Sequence, residues 1–576
     1  MNFKPLLKSA LGEEPCDLLF KNAAFANLCT MEYESGDIAV KDGIIVGIGG
    51  GYEAKETVDC AGRLLLPGFI EGHMHVESTF MTPRSLAAAI SPLGTTTVMA
   101  DPHEIANTCG VAGIRFMRRE SEGLPVDFYY GAPSCVPASA QETPLEEIEA
   151  GEIEKLFADG TCTHLGEMMN FPGVYYGDDK VWAKLDAARG LVITGHAPRV
   201  RGKELSAYLL GGITSDHECE SVDGAMEKLR RGMYVMIRQG ATARNLKALA
   251  PILAARPGLA VRCLAVSDDI TPNFMIQRGH LNGCLRELIE CGVEPLAALR
   301  TVTLTPAEYF RLDDRGMIAP GHIADLVMTD GLNEKFRVLK VWKRGELVAE
   351  DGRTLHQISP AVTAALPGYG REVRTPTADE LRVKIDDPLA KINVIGVIPG
   401  QVITQTRQMA PTNIGGFACA DPKRGLAKMA VVEKNRGSGR FAVGFLHGFG
   451  IARGAVASSI AHDAHNFTCA GMDDLSMATA LHELARLRGG IVIAEREKIL
   501  AEIELPVGGL MSLLTVGEGR AKLDELAAAR DALGCTAPHA FMLLSFMSLS
   551  VIPELKLTDK GYFDISGRGT VPLFVR

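Results

Sequence analysis

No stretch of this sequence reaches the roughly 18 uninterrupted apolar residues that a membrane-spanning helix needs. The N-terminal MNFKPLLKSALGEEPCDLLF also lacks the long apolar core and small-residue cleavage site of a secretory signal. Membrane and export readings are set aside, and a cytoplasmic protein is expected. Thirteen cysteines are present, but an odd number with no CxxC pair supports neither a disulfide framework nor a zinc knuckle. They are expected to be mostly buried, reduced thiols. No basic stripe follows a helix or strand, and the net charge of -10 is spread over 576 residues, so nucleic acid is not an expected partner. Internal repeats and low-complexity tracts are also missing.

What is there is an ordinary enzyme-like composition, 47% hydrophobic and 23% charged. Single hydrophobic cores stop growing at roughly 250 to 300 residues, so a chain of this length should divide into two or three domains. Short apolar runs with glycine turns, such as DIAVKDGIIVGIGGG, suggest small antiparallel strands near the N-terminus. The same texture returns at Ile323 to Val348. Residues 1–65 plus 316–360 are therefore expected to form one small β-sandwich domain built from both flanks of a central domain.

Within the central stretch, 66–315, eight apolar runs end in polar residues and are separated by segments long enough for a helix: LLLPGFIEGHMH, GTTTVMADPHE, DFYYGAPSC, THLGEMM, GLVITGHAP, GITSDHE, MYVMIRQG and VRCLAVSDD. That rhythm predicts a (β/α)8 TIM-like barrel, whose chemistry sits at the C-terminal ends of its strands. A Pro-, Thr- and Gly-rich linker should follow near residue 360. Residues 361–576 are expected to form an additional C-terminal α/β domain, with strands such as INVIGVI and IVIAE and a helix at MATALHELARL.

His73 and His75 close the first predicted strand, and alternate residues of a strand share a face, so both imidazoles can reach one ion. HxH alone also occurs on surface strands. Here Glu167, His196, His217 and Asp268 follow the fourth, fifth, sixth and eighth predicted strands, whose ends converge in a barrel. Four imidazoles and two carboxylates without a thiolate suit two divalent ions of borderline-hard character.

The order of these residues is similar to the amidohydrolase superfamily, with Glu167 at the bridging position in place of a carboxylated lysine. The longer segments PGFIEGHMHVESTFMTP, TTTVMADPHEIANTCG, LGEMMNFPGV, GKELSAYLLGGI, VMIRQGATARNL, GMIAPGHIADLV, SSIAHDAHN and LPVGGLMS resemble the adenine deaminases within it, over nearly the whole chain. The resemblance implies hydrolytic deamination of adenine to hypoxanthine and ammonia on two divalent ions, manganese or iron, with zinc also acceptable. His73, His75 and Asp268 would hold one ion, His196 and His217 the other, with Glu167 between them. Asp268 would carry the proton from water to the departing amine. The substrate is a small purine base, and a homo-oligomer is expected.

An acid must also protonate N1 of the ring as C6 is attacked. Related deaminases place a glutamate three residues after the histidine of the fifth strand, but here that residue is Arg199. Glu77, just past HxH, is the preferred acid and substrate contact; His103, Glu104 and Glu218 are the other candidates. Ser134, Cys135, Arg238, Gln239 and Asp269 could line the base pocket. The His462 to Asn466 segment could be a third metal site or a lid, and is read as structural by default. Three rivals stay open: a deaminase of another 6-aminopurine such as N6-methyladenine, a cyclic amide hydrolase, and a silent amidohydrolase-like scaffold. Glu167 speaks against the second, whose bridge is usually a carboxylated lysine, and the full set of six ligands against the third.

Overall fold

The eight apolar runs form eight parallel strands: β1 Phe69–Met74, β2 Thr95–Ala100, β3 Asp127–Ala132, β4 His164–Met168, β5 Ile193–Gly195, β6 Ser215–Asp216, β7 Tyr234–Arg238 and β8 Cys263–Val266. The structure is a computed structural model describing the chain except residues 1–2, 242–243, 357, 359–365, 367–370, 399–400, 538–539, 568 and 576. Most of the expected linker after residue 360 lies outside the described residues. β1 to β5 make one ladder and β6 to β8 another. The Thr214 N–H donates to the Ile193 carbonyl at 3.1 Å, joining β5 to β6, and the Asp268 N–H donates to the His73 carbonyl at 3.0 Å, closing the ring.

Strand period places the chemistry. Met99, Met236, Leu264 and Val266 pack together with Tyr309 and Phe310 in one apolar cluster. Val235, Ile237, Cys263 and Ala265, one residue out of step, pack instead with the surrounding helices. Asp101, Arg238 and Asp268 continue the first set by two residues each, which carries their side chains to the inward face at the strands' C-terminal ends.

Before and after the barrel, the flanks share a single nine-stranded sheet, joined where Leu64–Pro67 pairs antiparallel with Leu326–Thr329. The sheet is mixed rather than wholly antiparallel: Cys16–Asn27 runs parallel to both Ala54–Asp59 and Leu64–Pro67. After two hairpin turns the chain crosses back to its first strand, and that return fixes the parallel direction. Lys343 ties this sheet to the barrel. Its ammonium donates to Asp325 at 2.7 Å, to Asp127 at the start of β3 at 2.8 Å and to the Thr96 carbonyl at 3.0 Å.

Burial alone would raise the Asp127 carboxyl, but Lys343 and Arg315 outweigh it and bring it down to about 2. The unfolded value is about 3.9, so this ion pair stabilises the fold fully above pH ~4, and the contribution is lost as pH falls toward 2. Asp127→Asn should cost about 2 to 3 kcal/mol at pH 7 and should flatten the decline in stability between pH ~4 and ~2. Denaturant melts across that range check it; identical slopes for parent and variant would refute the assignment.

The C-terminal region is built on a second nine-stranded sheet, mostly antiparallel, that includes Lys391–Val397, Leu426–Val432, Phe467–Gly471 and Gly490–Glu495. Ala430 and Val432 face the helix Asp474–Arg486 through Met477, Leu481 and Leu484. Met429 and Val431, on the other face, belong to the large apolar cluster that also contains Val98, Ile105 and Leu165 of the barrel. The two sheet faces thus bury against different partners, one of them the barrel itself. Ten of the thirteen cysteines are buried and all are free. Among the described residues no helix is long and apolar enough to cross a membrane.

Candidate active site

Six residues singled out by strand position meet at the mouth of the barrel. Glu167 stands at their centre. Its Oε1 lies 3.3 Å from His75 Nε2, while its Oε2 lies 3.0 Å from His196 Nδ1 and 3.3 Å from His217 Nε2. One carboxylate therefore faces two separate imidazole groups through its two oxygens. Asp268 Oδ1 is 3.2 Å from His75 Nε2 and 3.6 Å from His73 Nε2. The potential ligand atoms of His73, His75 and Glu167 fall within 4.8 Å of one another, as do those of Glu167, His196 and His217. Both groups are buried.

Local structure explains the convergence. Gly166 precedes Glu167, and a Cβ there would sit 2.6 Å from Asp101 Oδ2. With no side chain in the way, Asp101 Oδ2 accepts the Glu167 N–H at 2.7 Å and holds the end of β4. Asp268 adopts the left-handed backbone region, with φ 55°. Asp is among the few residues that tolerate that conformation. Beneath the site, Glu71 accepts the His73 N–H at 3.0 Å and the Ser267 N–H at 3.1 Å, bridging β1 and β8 where the ladder is thinnest.

The donor set fits a pair of divalent ions. Among the described residues, His73 Nε2 and Glu167 Oε2 are buried without a hydrogen-bond partner, although each faces a group of opposite character. Burying polar atoms unpaired is costly, and coordination would satisfy them. Burial opposes charge on Glu167, yet the His217, His196 and His75 imidazoles around it outweigh burial and hold its carboxyl well below the usual range. Burial likewise opposes charge on Asp268, and Arg238 with His73 and His75 outweighs it. Both groups are thus carboxylates ready to ligate.

A cavity of about 80 Å³ opens above this centre, lined by His103, Glu104, Glu218, Arg238 and Asp269 as well as by five of the six, all but His73. Arg238 donates to Glu218 at 2.6 Å and to Asp268 Oδ2 at 2.7 Å, so it links β7 to β8 rather than standing free. Several expectations are corrected. Glu77 does not line the cavity: it opens a short 3-10 turn, and its Oε1 accepts the Ile105 N–H at 3.0 Å, at the start of the helix His103–Glu120. Glu104, on that same helix turn, takes the position facing the cavity. Ser134 is turned away, donating to the Glu167 carbonyl at 2.6 Å, and with Cys135 it lines a neighbouring cavity of about 520 Å³. Gln239 bonds to Glu287 and lines a third cavity. Arg199 is exposed beside Glu220 and has no part in the pocket.

The His462 to Asn466 segment, read as structural, instead reaches the site. His462 and Asp463 line the cavity together with Phe546, Leu549, Ile552 and Val402, all from the C-terminal region. His462 and Asp463 are inserted from a sheet more than 150 residues beyond β8, and the only local signal is the pair of histidines in an apolar stretch.

Two family models match the chain: the amidohydrolase family over residues 64–348 and the adenine deaminase C-terminal domain over 401–568. The chain is 42% identical to the adenine deaminase of Oleidesulfovibrio alaskensis, over 99% of its own length and 98% of that protein. It is 40% identical to adenine deaminase 2 of Carboxydothermus hydrogenoformans, over 99% of each chain, and 41% identical to the adenine deaminase of Methanoregula boonei, over 99% and 98%. The chain belongs to the adenine deaminase family. The two matched regions divide the site between them: the amidohydrolase segment carries all six candidate ligands, and the adenine deaminase C-terminal segment supplies the roof.

Proposed function

We propose that this protein hydrolyses adenine to hypoxanthine and ammonia, with His73, His75, Glu167, His196, His217 and Asp268 holding two divalent ions. The observation that carries the reading is Glu167, whose two oxygens face two different imidazole groups under a small cavity. His73, His75 and Asp268 serve one ion and His196 and His217 the other, with manganese or iron suiting this nitrogen and oxygen set and zinc also compatible. Such ions, when held by these residues, would supply the Lewis acidity that lets water act as a nucleophile near neutral pH.

The chain's own groups do the rest. Asp268, kept anionic by Arg238, accepts the proton released as water oxygen bonds to C6. Glu104, buried against the cavity with its carboxyl raised by burial, donates a proton to N1 in the same step. The C6–N6 bond then breaks as Asp268 returns its proton to the amine, which leaves as ammonia. The hydroxyl left on C6 gives its proton back to Glu104, yielding the carbonyl of hypoxanthine. Adenine and one water are consumed, and both acids end as they began. A cavity this small admits a flat base, well below the roughly 300 to 1,000 Å³ of sites for larger ligands.

Protein prepared with manganese should carry about two ions per chain and release hypoxanthine and ammonia in equal amounts from adenine, and chelation should abolish turnover. Fully metallated protein that leaves adenine intact while opening cyclic amides would overturn the assignment.

A further inference from the structure

The roof over the cavity comes from two arms of the C-terminal region. One is the His462 to Asn466 loop, between strands Ala455–Ser458 and Phe467–Gly471; the other follows the helix Ala540–Ser545 and carries Phe546, Leu549 and Ile552. The His462 ring stacks on Phe546, with centroids 4.9 Å apart and planes 11° from parallel. One carboxylate pins both arms. Glu142, in the loop after β3, accepts the N–H groups of Asp463 at 3.2 Å and Ala464 at 3.0 Å through Oε2. Through Oε1 it accepts the Ser550 N–H at 3.0 Å and hydroxyl at 2.6 Å. The barrel thereby fixes the roof's height above the centre.

His462 is buried, with Nδ1 lying 3.6 Å from Glu104 Oε1 and 3.5 Å from Asp463 Oδ1. Its Nε2 is buried and has no partner among the described residues. An imidazole nitrogen left unpaired in a cavity wall carries a desolvation cost that a ligand atom would relieve. A third metal site built from Glu104, His462 and His465 does not explain the arrangement. His465 Nδ1 accepts the Ala461 N–H at 3.2 Å, so a neutral His465 keeps its proton on Nε2, the atom that would have to ligate.

We propose that His462, held on Phe546 by the Glu142 latch, is a substrate-positioning residue whose Nε2–H binds a ring nitrogen of the base other than N1. The inference rests on the deaminase reading and adds a recognition group from outside the barrel. Asp463, 3.5 Å from Nδ1, favours the protonated ring: burial opposes the charge, and the neighbouring Asp463 and Asp269 carboxylates raise the imidazole above its ordinary value. Nε2 then presents a donor, and the unsubstituted N3 and N7 of adenine are acceptors. The Phe546 ring, with Leu549 and Ile552 beside it, would seat the base so that C6 faces the six candidate ligands.

The test uses the full manganese-loaded chain: equilibrium titration of adenine, 3-deazaadenine and 7-deazaadenine in the Asp268→Asn background, whose slow turnover leaves the bases intact during binding, alongside steady-state kinetics of the active chain. His462→Leu should weaken adenine binding and raise KM about tenfold or more, with metal content and unfolding temperature at the parent's values. One of the two deaza analogues should bind the parent about tenfold more weakly than adenine and lose nothing further in His462→Leu, because the lost atom and the lost side chain are the same interaction. His462→Gln, which keeps a donor near Nε2, should recover most of the affinity. Unchanged affinity in His462→Leu, fully additive losses for both analogues, or a His462→Gln variant as weak as His462→Leu would each overturn the proposal. A parent that binds adenine without deaminating it would count against the deaminase reading alone, since the titrations still report on His462.

Discussion

Asp268→Asn should give a folded protein that turns adenine over about 10³ to 10⁴ times more slowly than the parent, the range expected when a positioned proton carrier is removed. The substitution is nearly isosteric, and asparagine tolerates the left-handed backbone at φ 55° as aspartate does. The amide oxygen can still face His73 and His75, so the metal content should stay close to the parent's. What disappears is the anion. Arg238 keeps its second partner, Glu218, at 2.6 Å, so the loss of charge at Asp268 does not strand the guanidinium. Metal analysis, unfolding temperature and kcat together decide the case. A loss of only a few fold would assign the proton to another group, with Glu218, which shares Arg238 with Asp268, the first to test. A large loss accompanied by missing metal would make Asp268 chiefly a ligand.

Much of this was legible because a parallel barrel translates strand period directly into position. Apolar runs ending in His73 and His75, Glu167, His196, His217 and Asp268 needed no long-range information beyond closure, and the structure brings all six together. The failures lie just past the strand ends, where period no longer governs direction. Glu77 and Glu104 look equivalent in sequence, but the 3-10 turn at Glu77–Thr79 rotates the first toward a helix N-terminus and the helix His103–Glu120 presents the second to the cavity. Ser134 follows its strand as expected, yet its hydroxyl is taken by the Glu167 carbonyl. The roof was illegible for a different reason. His462 reaches the site because Met429 and Val431 bury one face of a remote sheet against the barrel's cluster, and which partner a second apolar sheet face selects is a tertiary choice. Two histidines in a buried apolar stretch, His462 and His465, were the one available hint.

Glu167→Gln should have the deepest effect on the centre itself: bound metal falling from about two ions per chain to one or fewer, and turnover falling by about 10³-fold or more, roughly 4 kcal/mol of lost transition-state stabilisation. The argument is geometric and electrostatic together. Among the described residues only Glu167 has one oxygen toward His75 and the other toward both His196 and His217. Glutamine preserves length and the backbone bond to Asp101, but it replaces one acceptor oxygen by an NH2 group that cannot ligate, and it removes the charge that offsets two cations in a buried site. Excess manganese should therefore restore little activity. Glu167→Asp keeps the charge and shortens the reach, so it should retain more metal than Glu167→Gln while staying well below the parent. Should Glu167→Gln keep two ions and most of its turnover, the two imidazole groups would have to bind their ions independently, and a bridging role for this carboxylate would be ruled out.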